Sequence, residues 1–255
     1  MLKRSIVFIY GIACYVVFFA SFLYAIGFVS GFVVPRTLDS PAQGSRATAL
    51  LIDVGLLTLF AVQHSGMARQ PFKRWLTRYI PEAAERSTYV LASSAALIVL
   101  FVYWRPLGGV IWQVQGATGT GVLYALAAFG WLTVLGSTFL LDHFDLFGLR
   151  QVWLNLRGHP FTPISFRTPW PYRLVRHPLY VGFLFAFWAT PRMTFAHLLF
   201  ALATTGYILI AIQLEERDLV SALGEDYAAY RQRVPMLIPF TRRGSKSAPQ
   251  QPLTG

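Results

Sequence analysis

Six apolar runs dominate this chain and limit what it can fold into. They cover residues 5–34, 48–63, 87–104, 121–141, 178–190 and 195–214. Most are long enough to cross the roughly 30 Å hydrocarbon core of a bilayer as a helix. The run at 178–190 is short for a straight crossing, and it could be a half-helix or a tucked arm of a hairpin. The pattern predicts an all-α bundle of five to six transmembrane helices.

The composition supports a polytopic membrane protein rather than a soluble domain. Hydrophobic residues make up 55% of the chain and charged residues 13%, and the mean hydropathy is +0.49. Cys14 is the single cysteine, so one chain can form neither a disulfide nor a thiolate metal site. No interleaving of basic and aromatic residues suggests a nucleic-acid partner. We expect one membrane domain over 1–241, followed by a disordered tail over 242–255 that is poor in apolar residues.

Basic residues orient the predicted helices. If the N-terminus is cytoplasmic and all six runs cross, 18 of the 22 Lys and Arg residues face the cytoplasm. The outer side then holds Arg36, Arg46, Arg105 and Arg192. Since cytoplasmic loops of membrane proteins are enriched in Lys and Arg, this asymmetry predicts that both termini are cytoplasmic. The net charge of +11 would also favour contact with anionic lipid headgroups.

Two polar clusters bracket the last two apolar runs. The first is Arg176-His177-Pro178-Leu179-Tyr180-Val181-Gly182, and the second is Glu215-Glu216-Arg217, followed by Gly224-x-x-Tyr227-x-x-Tyr230. Pro178 suits a first helical turn and Pro191 marks a reversal between the runs. The resulting hairpin would return the Arg-His pair beside the two glutamates. Such a cluster could hold a zwitterionic amino-acid ligand; the alternative is a basic flank with an ion pair at a helix end.

Other ionisable residues end apolar runs on the same predicted side. His64 ends the second run, and Asp142 and His143 end the fourth. Because histidines and a carboxylate are not ordinary orientation signals, we expect these residues to converge in a cytoplasmic pocket. No His-x-x-x-His pair occurs and acids are few, so no metal site is expected. Asp53 is expected to hydrogen-bond a neighbouring helix, and His197 to be an ordinary interfacial residue.

The C-terminal motifs carry a resemblance to a known family. Arg-His-Pro-x-Tyr-x-Gly, a hydrophobic hairpin, Glu-Glu and Gly-x-x-Tyr-x-x-Tyr resemble the C-terminal half of the integral-membrane methyltransferases, over roughly residues 170–240. This group includes the isoprenylcysteine carboxyl methyltransferases and the phospholipid N-methyltransferases. The resemblance implies S-adenosylmethionine as cofactor, bound by the motif residues Arg176, His177, Leu179, Tyr180, Gly182, Glu215 and Glu216.

The rest of the chain is similar to a narrower group, the bacterial methanethiol S-methyltransferases. The similarity lies in Ala61–Met67, Leu141–Gly148 and the stretch around Thr168-Pro169; accessory proteins of nitric oxide reductase share parts of this architecture. It implies an enzyme of the bacterial inner membrane that converts methanethiol, a small thiol, to dimethyl sulfide. The alternatives are methylation of a lipid or a prenylcysteine carboxylate, and a non-catalytic accessory protein.

A thiol substrate implies a base, because the thiolate is the better nucleophile. His64, Asp142 and His143 are the candidate catalytic residues, with Asp142 orienting one imidazole. Spacing leaves open which histidine is the base.

Overall fold

A computed structural model describes residues 1–42, 44–162 and 168–241. Five of its helices are long and apolar enough to cross a membrane, which confirms the predicted all-α transmembrane bundle. They are α1 (Leu2–Ser30), α2 (Arg46–Met67), α4 (Glu85–Tyr103), α5 (Ala117–Leu140) and α10 (Phe195–Leu223). The predicted tail at 242–255 lies outside the described residues.

Shorter elements connect the long helices. The remaining helices of the described residues are α3 (Gln70–Leu76), α6 (His143–Leu146), α7 (Leu149–Arg157), α8 (Trp170–Leu174), α9 (Pro178–Trp188) and α11 (Glu225–Arg233), with a 3₁₀ turn at Glu82–Ala84. Two short strands, β1 (Val110–Gln113) and β2 (Arg192–Thr194), form an antiparallel ribbon that the sequence did not predict.

The ribbon explains how the short apolar run at 178–190 reaches the far end of the bundle. Helix α9 has 11 residues, about 16 Å, which is half the thickness of a bilayer core. Strand β2 follows it and pairs with β1, which lies between α4 and α5. The turn after α9 therefore reaches the end of the bundle where α4 finishes and α5 begins. A short helix followed by extended residues covers the distance that a longer helix would cover.

Helix packing groups α1, α2 and α4 in one part of the bundle and α5 with α9 in another, and α10 contacts both parts. Helix α4 packs against both α1 and α2, α5 packs along α9, and α10 contacts α2 and α9. A Cβ added to Gly182 of α9 would lie 2.7 Å from the Gly130 carbonyl oxygen and 2.8 Å from the Val134 amide nitrogen of α5. The two backbones can approach this closely only because residue 182 has no side chain. Large apolar side chains such as Ile9, Val62 and Leu132 are exposed on the outer faces, as expected of helices that contact lipid.

The apolar core lies at one end of the bundle, which we call the apolar end. Phe28, Leu100, Trp104, Phe187 and Phe200 are buried there, where α1 and α4 finish and α10 begins. Helices α2, α5 and α10 finish at the opposite end, which we call the polar end. This arrangement leaves the polar end for the charged motifs.

Two buried polar residues strengthen the apolar end. Asp53 accepts a 2.8 Å hydrogen bond from the Arg105 backbone N–H just beyond α4, which confirms the predicted structural bond to a neighbouring helix. His197 is fully buried, with Nδ1 3.0 Å from Asp39 Oδ2 and Nε2 2.9 Å from the Phe187 carbonyl oxygen. The prediction of an interfacial His197 was therefore wrong, because the loop after α1 brings a carboxylate onto it.

Candidate functional site

A buried ion network joins the start of α9 to α10. Glu216 is 2% exposed, and its Oε1 accepts a 2.7 Å hydrogen bond from Arg176 Nε and lies 3.0 Å from His177 Nε2. Its Oε2 lies 3.0 Å from Arg231 Nε, on α11. The hairpin thus brings the Arg-His pair onto the Glu-Glu pair, as the sequence predicted. Arg231, which the sequence did not single out, completes the network.

The end of α11 and the segment after it hold this network in place, and we call residues 231–236 the C-terminal clasp. The backbone N–H groups of Arg176 and His177 donate to the carbonyls of Pro235 and Met236, at 2.9 and 3.2 Å. Arg176 Nη1 also donates to the carbonyls of Arg231, at 2.9 Å, and Val234, at 2.6 Å. Because its Nε and Nη1 are both engaged within the protein, Arg176 is built into the frame of the site. The resemblance implied a ligand-binding role for it.

Helix α11 is anchored by one of the two motif tyrosines. The Tyr230 hydroxyl donates a 2.6 Å hydrogen bond to the Tyr172 carbonyl of α8. Burial raises the pKa of Tyr230 to about 12, so its hydroxyl keeps its proton at neutral pH. The Tyr-x-x-Tyr motif therefore closes the polar end around the ion network.

An open face of the site lies beside the buried network. The Glu215 side chain is 46% exposed, and its Oε2 accepts a 3.1 Å hydrogen bond from the Tyr180 hydroxyl. His177 Nδ1 lies 3.9 Å from the same oxygen. The two adjacent glutamates thus differ in their surroundings. The carboxylate oxygens of Glu216 contact cationic side chains inside the protein, whereas the carboxylate of Glu215 is exposed. An accessible carboxylate flanked by a phenol and an imidazole suits a ligand that carries an ammonium group.

The other two motif residues of α9 differ in position. Leu179 is half-buried in the first turn of the helix. Gly182 faces the α5 backbone at Gly130 and Val134, so its lack of a side chain serves the close approach of two helices. The ligand-binding role that the resemblance implied for Gly182 stays a prediction.

His64 lies in a box of polar and aromatic side chains. Its Nδ1 is 3.2 Å from Ser93 Oγ, and the Tyr89 hydroxyl lies 2.9 Å from its Nε2. Phe60 stacks on the imidazole with ring centroids 5.2 Å apart, and Tyr207 meets it edge-on at 6.4 Å. Helices α2, α4 and α10 therefore all contribute to the surroundings of this histidine.

Helix α10 connects the His64 box to the open carboxylate. Tyr207 of the box and Glu215 both lie on this helix, eight residues or about 12 Å apart. The polar end thus carries both groups on helices that pack together, α2 and α10. Sequence reasoning missed Tyr89 and Tyr207, since each stands inside an apolar run, where an aromatic residue reads as core or lipid contact.

His143 and Asp142 lie elsewhere. His143 is buried, with Nδ1 2.8 Å from Thr138 Oγ1 and Nε2 2.8 Å from the Tyr15 hydroxyl. Burial lowers the pKa of His143, which favours its neutral form. Asp142 caps α6 instead, with Oδ1 accepting a 3.2 Å hydrogen bond from the Asp145 N–H.

The expected cluster of His64, Asp142 and His143 is therefore not formed among the described residues. Asp142 has a positive φ of 80°, which turns the chain and folds His143 back between α5 and α1. Because hydroxyls occupy both of its ring nitrogens, His143 does not depend on Asp142 for its orientation. His64 remains as the candidate base beside the open face.

The described residues hold no group of three or more His, Cys, Asp or Glu side chains that could bind a metal ion. Asp145 of α6 is instead paired with Arg150 at 3.0 Å.

Comparisons with known proteins give consistent relatives. The model of the NnrU protein family matches residues 52–215. Methanethiol S-methyltransferase from Crocosphaera subtropica is 56% identical over 96% of each chain, and the protein of that name from Mycobacterium tuberculosis is 54% identical over 95% of this chain and 99% of its own. Nurim from Sus scrofa is 35% identical over 66% of each chain. No solved structure matches the chain.

Proposed function

Because the chain belongs to the NnrU protein family and to the family of proteins named methanethiol S-methyltransferase, we propose that it methylates methanethiol to dimethyl sulfide. The observation that carries the proposal is identity above 50%, over almost the whole chain, to proteins bearing that name.

The proposed methyl donor is S-adenosylmethionine, which supplies a methyl group on a positively charged sulfur when bound. The donor set at the open face fits its amino-acid portion. Glu215 has a free carboxylate for the ammonium group, and Tyr180 orients that carboxylate through its 3.1 Å hydrogen bond. His177 stands beside them as a further polar contact. Arg176 and Glu216 keep these groups in position from within the protein.

His64 is the proposed general base. A thiol reacts faster as its thiolate, so removing its proton lowers the barrier to attack. The imidazole would take the thiol proton, while Ser93 and Tyr89 hold the ring in a fixed orientation. His143 is proposed as a structural residue that pins α6 to α1, and Asp142 as the cap of α6.

The proposed location is the bacterial inner membrane, with both termini in the cytoplasm. The support is the concentration of 18 of 22 basic residues on one side of the predicted topology. The polar end, with its candidate site, then faces the cytoplasm. Methanethiol and dimethyl sulfide are small and apolar, so both can reach such a site through the lipid.

The test is a headspace assay of purified protein in lipid nanodiscs, supplied with S-adenosylmethionine and methanethiol. We expect dimethyl sulfide from the wild type. His64→Ala should lower the rate by about 10²–10⁴-fold at neutral pH, with a smaller deficit at high pH where free thiolate is abundant. His159→Ala, at an exposed position, is the matched control. Methylation of a lipid or a prenylcysteine with no dimethyl sulfide would refute the proposed substrate.

A further inference from the structure

The aromatic rings around His64 limit how a substrate can approach it. Phe60 covers one face of the imidazole, with an interplanar angle of 18°. Tyr89 is tilted against the ring at 5.2 Å, and Tyr207 presents a third aromatic surface at 72°. An acceptor can therefore reach the histidine only through the space that these three rings leave.

The two tyrosine rings are fixed at both ends. Their Cα atoms belong to the long helices α4 and α10. The Tyr89 hydroxyl is hydrogen-bonded to His64, and the Tyr207 hydroxyl lies 3.0 Å from Ser65 Oγ of α2. Arg86 lies over the Tyr89 ring, 5.5 Å from its centroid. A ring tied in this way cannot swing aside for a bulky acceptor without losing its hydrogen bond.

The proposed donor contacts lie on the same helix as one of these rings. Tyr180 donates a hydrogen bond to Glu215, which follows Tyr207 on α10 by eight residues, or about 12 Å. A thiol that attacks a donor held at Glu215 while giving its proton to His64 would therefore pass the rings of Tyr207 and Tyr89.

We propose that Tyr89 and Tyr207 are specificity-determining residues that restrict the enzyme to thiols about as small as methanethiol. This inference rests on the proposed function. In the reaction the thiol proton passes to His64 and the sulfur lone pair forms the new S–C bond. The bond from the methyl carbon to the positively charged donor sulfur breaks, and its electron pair stays on that sulfur. An added carbon on the thiol must fit against Tyr207 or Tyr89 while the sulfur remains in line.

The experiment compares thiols of increasing size. Rates with methanethiol, ethanethiol and 1-propanethiol are measured by headspace detection for the wild type, Tyr207→Ala and Tyr207→Phe. We expect Tyr207→Ala to raise the ethanethiol-to-methanethiol rate ratio at least tenfold, since one methylene in an apolar pocket changes discrimination by about 10–200-fold. Tyr207→Phe keeps the ring but loses the hydrogen bond to Ser65 that holds it, so the ratio should rise less than in Tyr207→Ala. Tyr79→Ala, at a tyrosine that is 72% exposed, is the matched control.

A second readout avoids turnover. Calorimetry without any methyl donor should show that Tyr207→Ala gains affinity for diethyl sulfide relative to dimethyl sulfide, and that Tyr207→Phe gains less. If Tyr207→Ala does not fold, Tyr207→Leu takes its place with the same expected direction. Unchanged rate ratios and unchanged sulfide preference in a folded variant would overturn the inference. Failure of the wild type to make dimethyl sulfide would instead overturn the proposed function.

Discussion

At the scale of single residues, two adjacent glutamates allow a structural role, at Glu216, to be distinguished from a proposed ligand-binding role, at Glu215. Glu216→Gln removes the carboxylate that faces Arg176, whose side chain is 4% exposed. We expect a loss of about 3 kcal/mol in stability, since breaking a buried ion pair leaves an uncompensated charge. Glu215→Gln should leave the unfolding midpoint unchanged and weaken S-adenosylmethionine binding at least about tenfold, as expected for a lost charge-assisted hydrogen bond.

Thermal unfolding and calorimetric titration of both variants in the same detergent give the comparison. Equal loss of stability in the two variants would contradict the separation into a buried and an open carboxylate. Unchanged donor affinity in a folded Glu215→Gln protein would remove this residue from the proposed site.

His143 predicts a dependence of stability on pH. Burial lowers its pKa below the ordinary value of 6.5, so the unfolded chain binds a proton more readily than the folded protein. Its contribution to stability is therefore fully present above about pH 6.5 and is lost as the pH falls through the folded pKa. His143→Gln should flatten the unfolding free energy between pH 7 and pH 5, relative to the wild type and to the exposed-site control His159→Gln. A slope unchanged from the wild type would show that other groups cause it.

The sequence predicts the part of the site that is formed by charged residues in short motifs, because these residues stand out at the ends of apolar runs. The meeting of His177 with the glutamates follows from the length of the hairpin alone. Arg231 could not be foreseen, since its role depends on how α11 folds back after α10. Tyr89 and Tyr207 could not be foreseen either, because only helix rotation decides whether an aromatic side chain in an apolar run faces lipid or a polar pocket.

At the scale of elements, the α5–α9 contact is sensitive to a single methyl group. Gly182→Ala places its Cβ against backbone atoms of Gly130 and Val134, at 2.7 and 2.8 Å, and backbone cannot move aside locally. We expect the unfolding midpoint to fall and the two helices to separate. Gly206→Ala, in open space on α10, should be neutral or stabilising by about 0.5–1 kcal/mol. A Gly182→Ala protein as stable as the Gly206→Ala protein would show that the contact is looser than described.

The apolar runs predict the helices because helix length and burial follow from composition. Helix α10 extends past its apolar run to Leu223, which places Glu215 and Glu216 on the helix itself. The β1–β2 ribbon is a different case, since its two strands are 79 or more positions apart in the sequence and each is too short to be recognised alone. The left-handed turn at Asp142 likewise depends on the packing of α6 against α1.

At the scale of the whole molecule, the ribbon and the basic residues give one topology. Pairing of β1 with β2 puts the α4–α5 connection and the turn after α9 on the same side. Reporter fusions after Gly255 should be active only with a cytoplasmic reporter, and insertions between Leu107 and Val110 only with an external one. A periplasmic signal from the fusion after Gly255 would mean an odd number of crossings, with α9 failing to cross.

The C-terminal clasp also sets the order in which the protein can mature. Residues 234–236 supply carbonyls that accept hydrogen bonds from the backbone of Arg176 and His177 and from the guanidinium of Arg176. These residues are synthesised only after all the membrane helices have been made. A nascent chain can therefore insert its full bundle into the bilayer while its site is still incomplete. The proposed site is therefore complete only after the segment beyond α11 has left the ribosome.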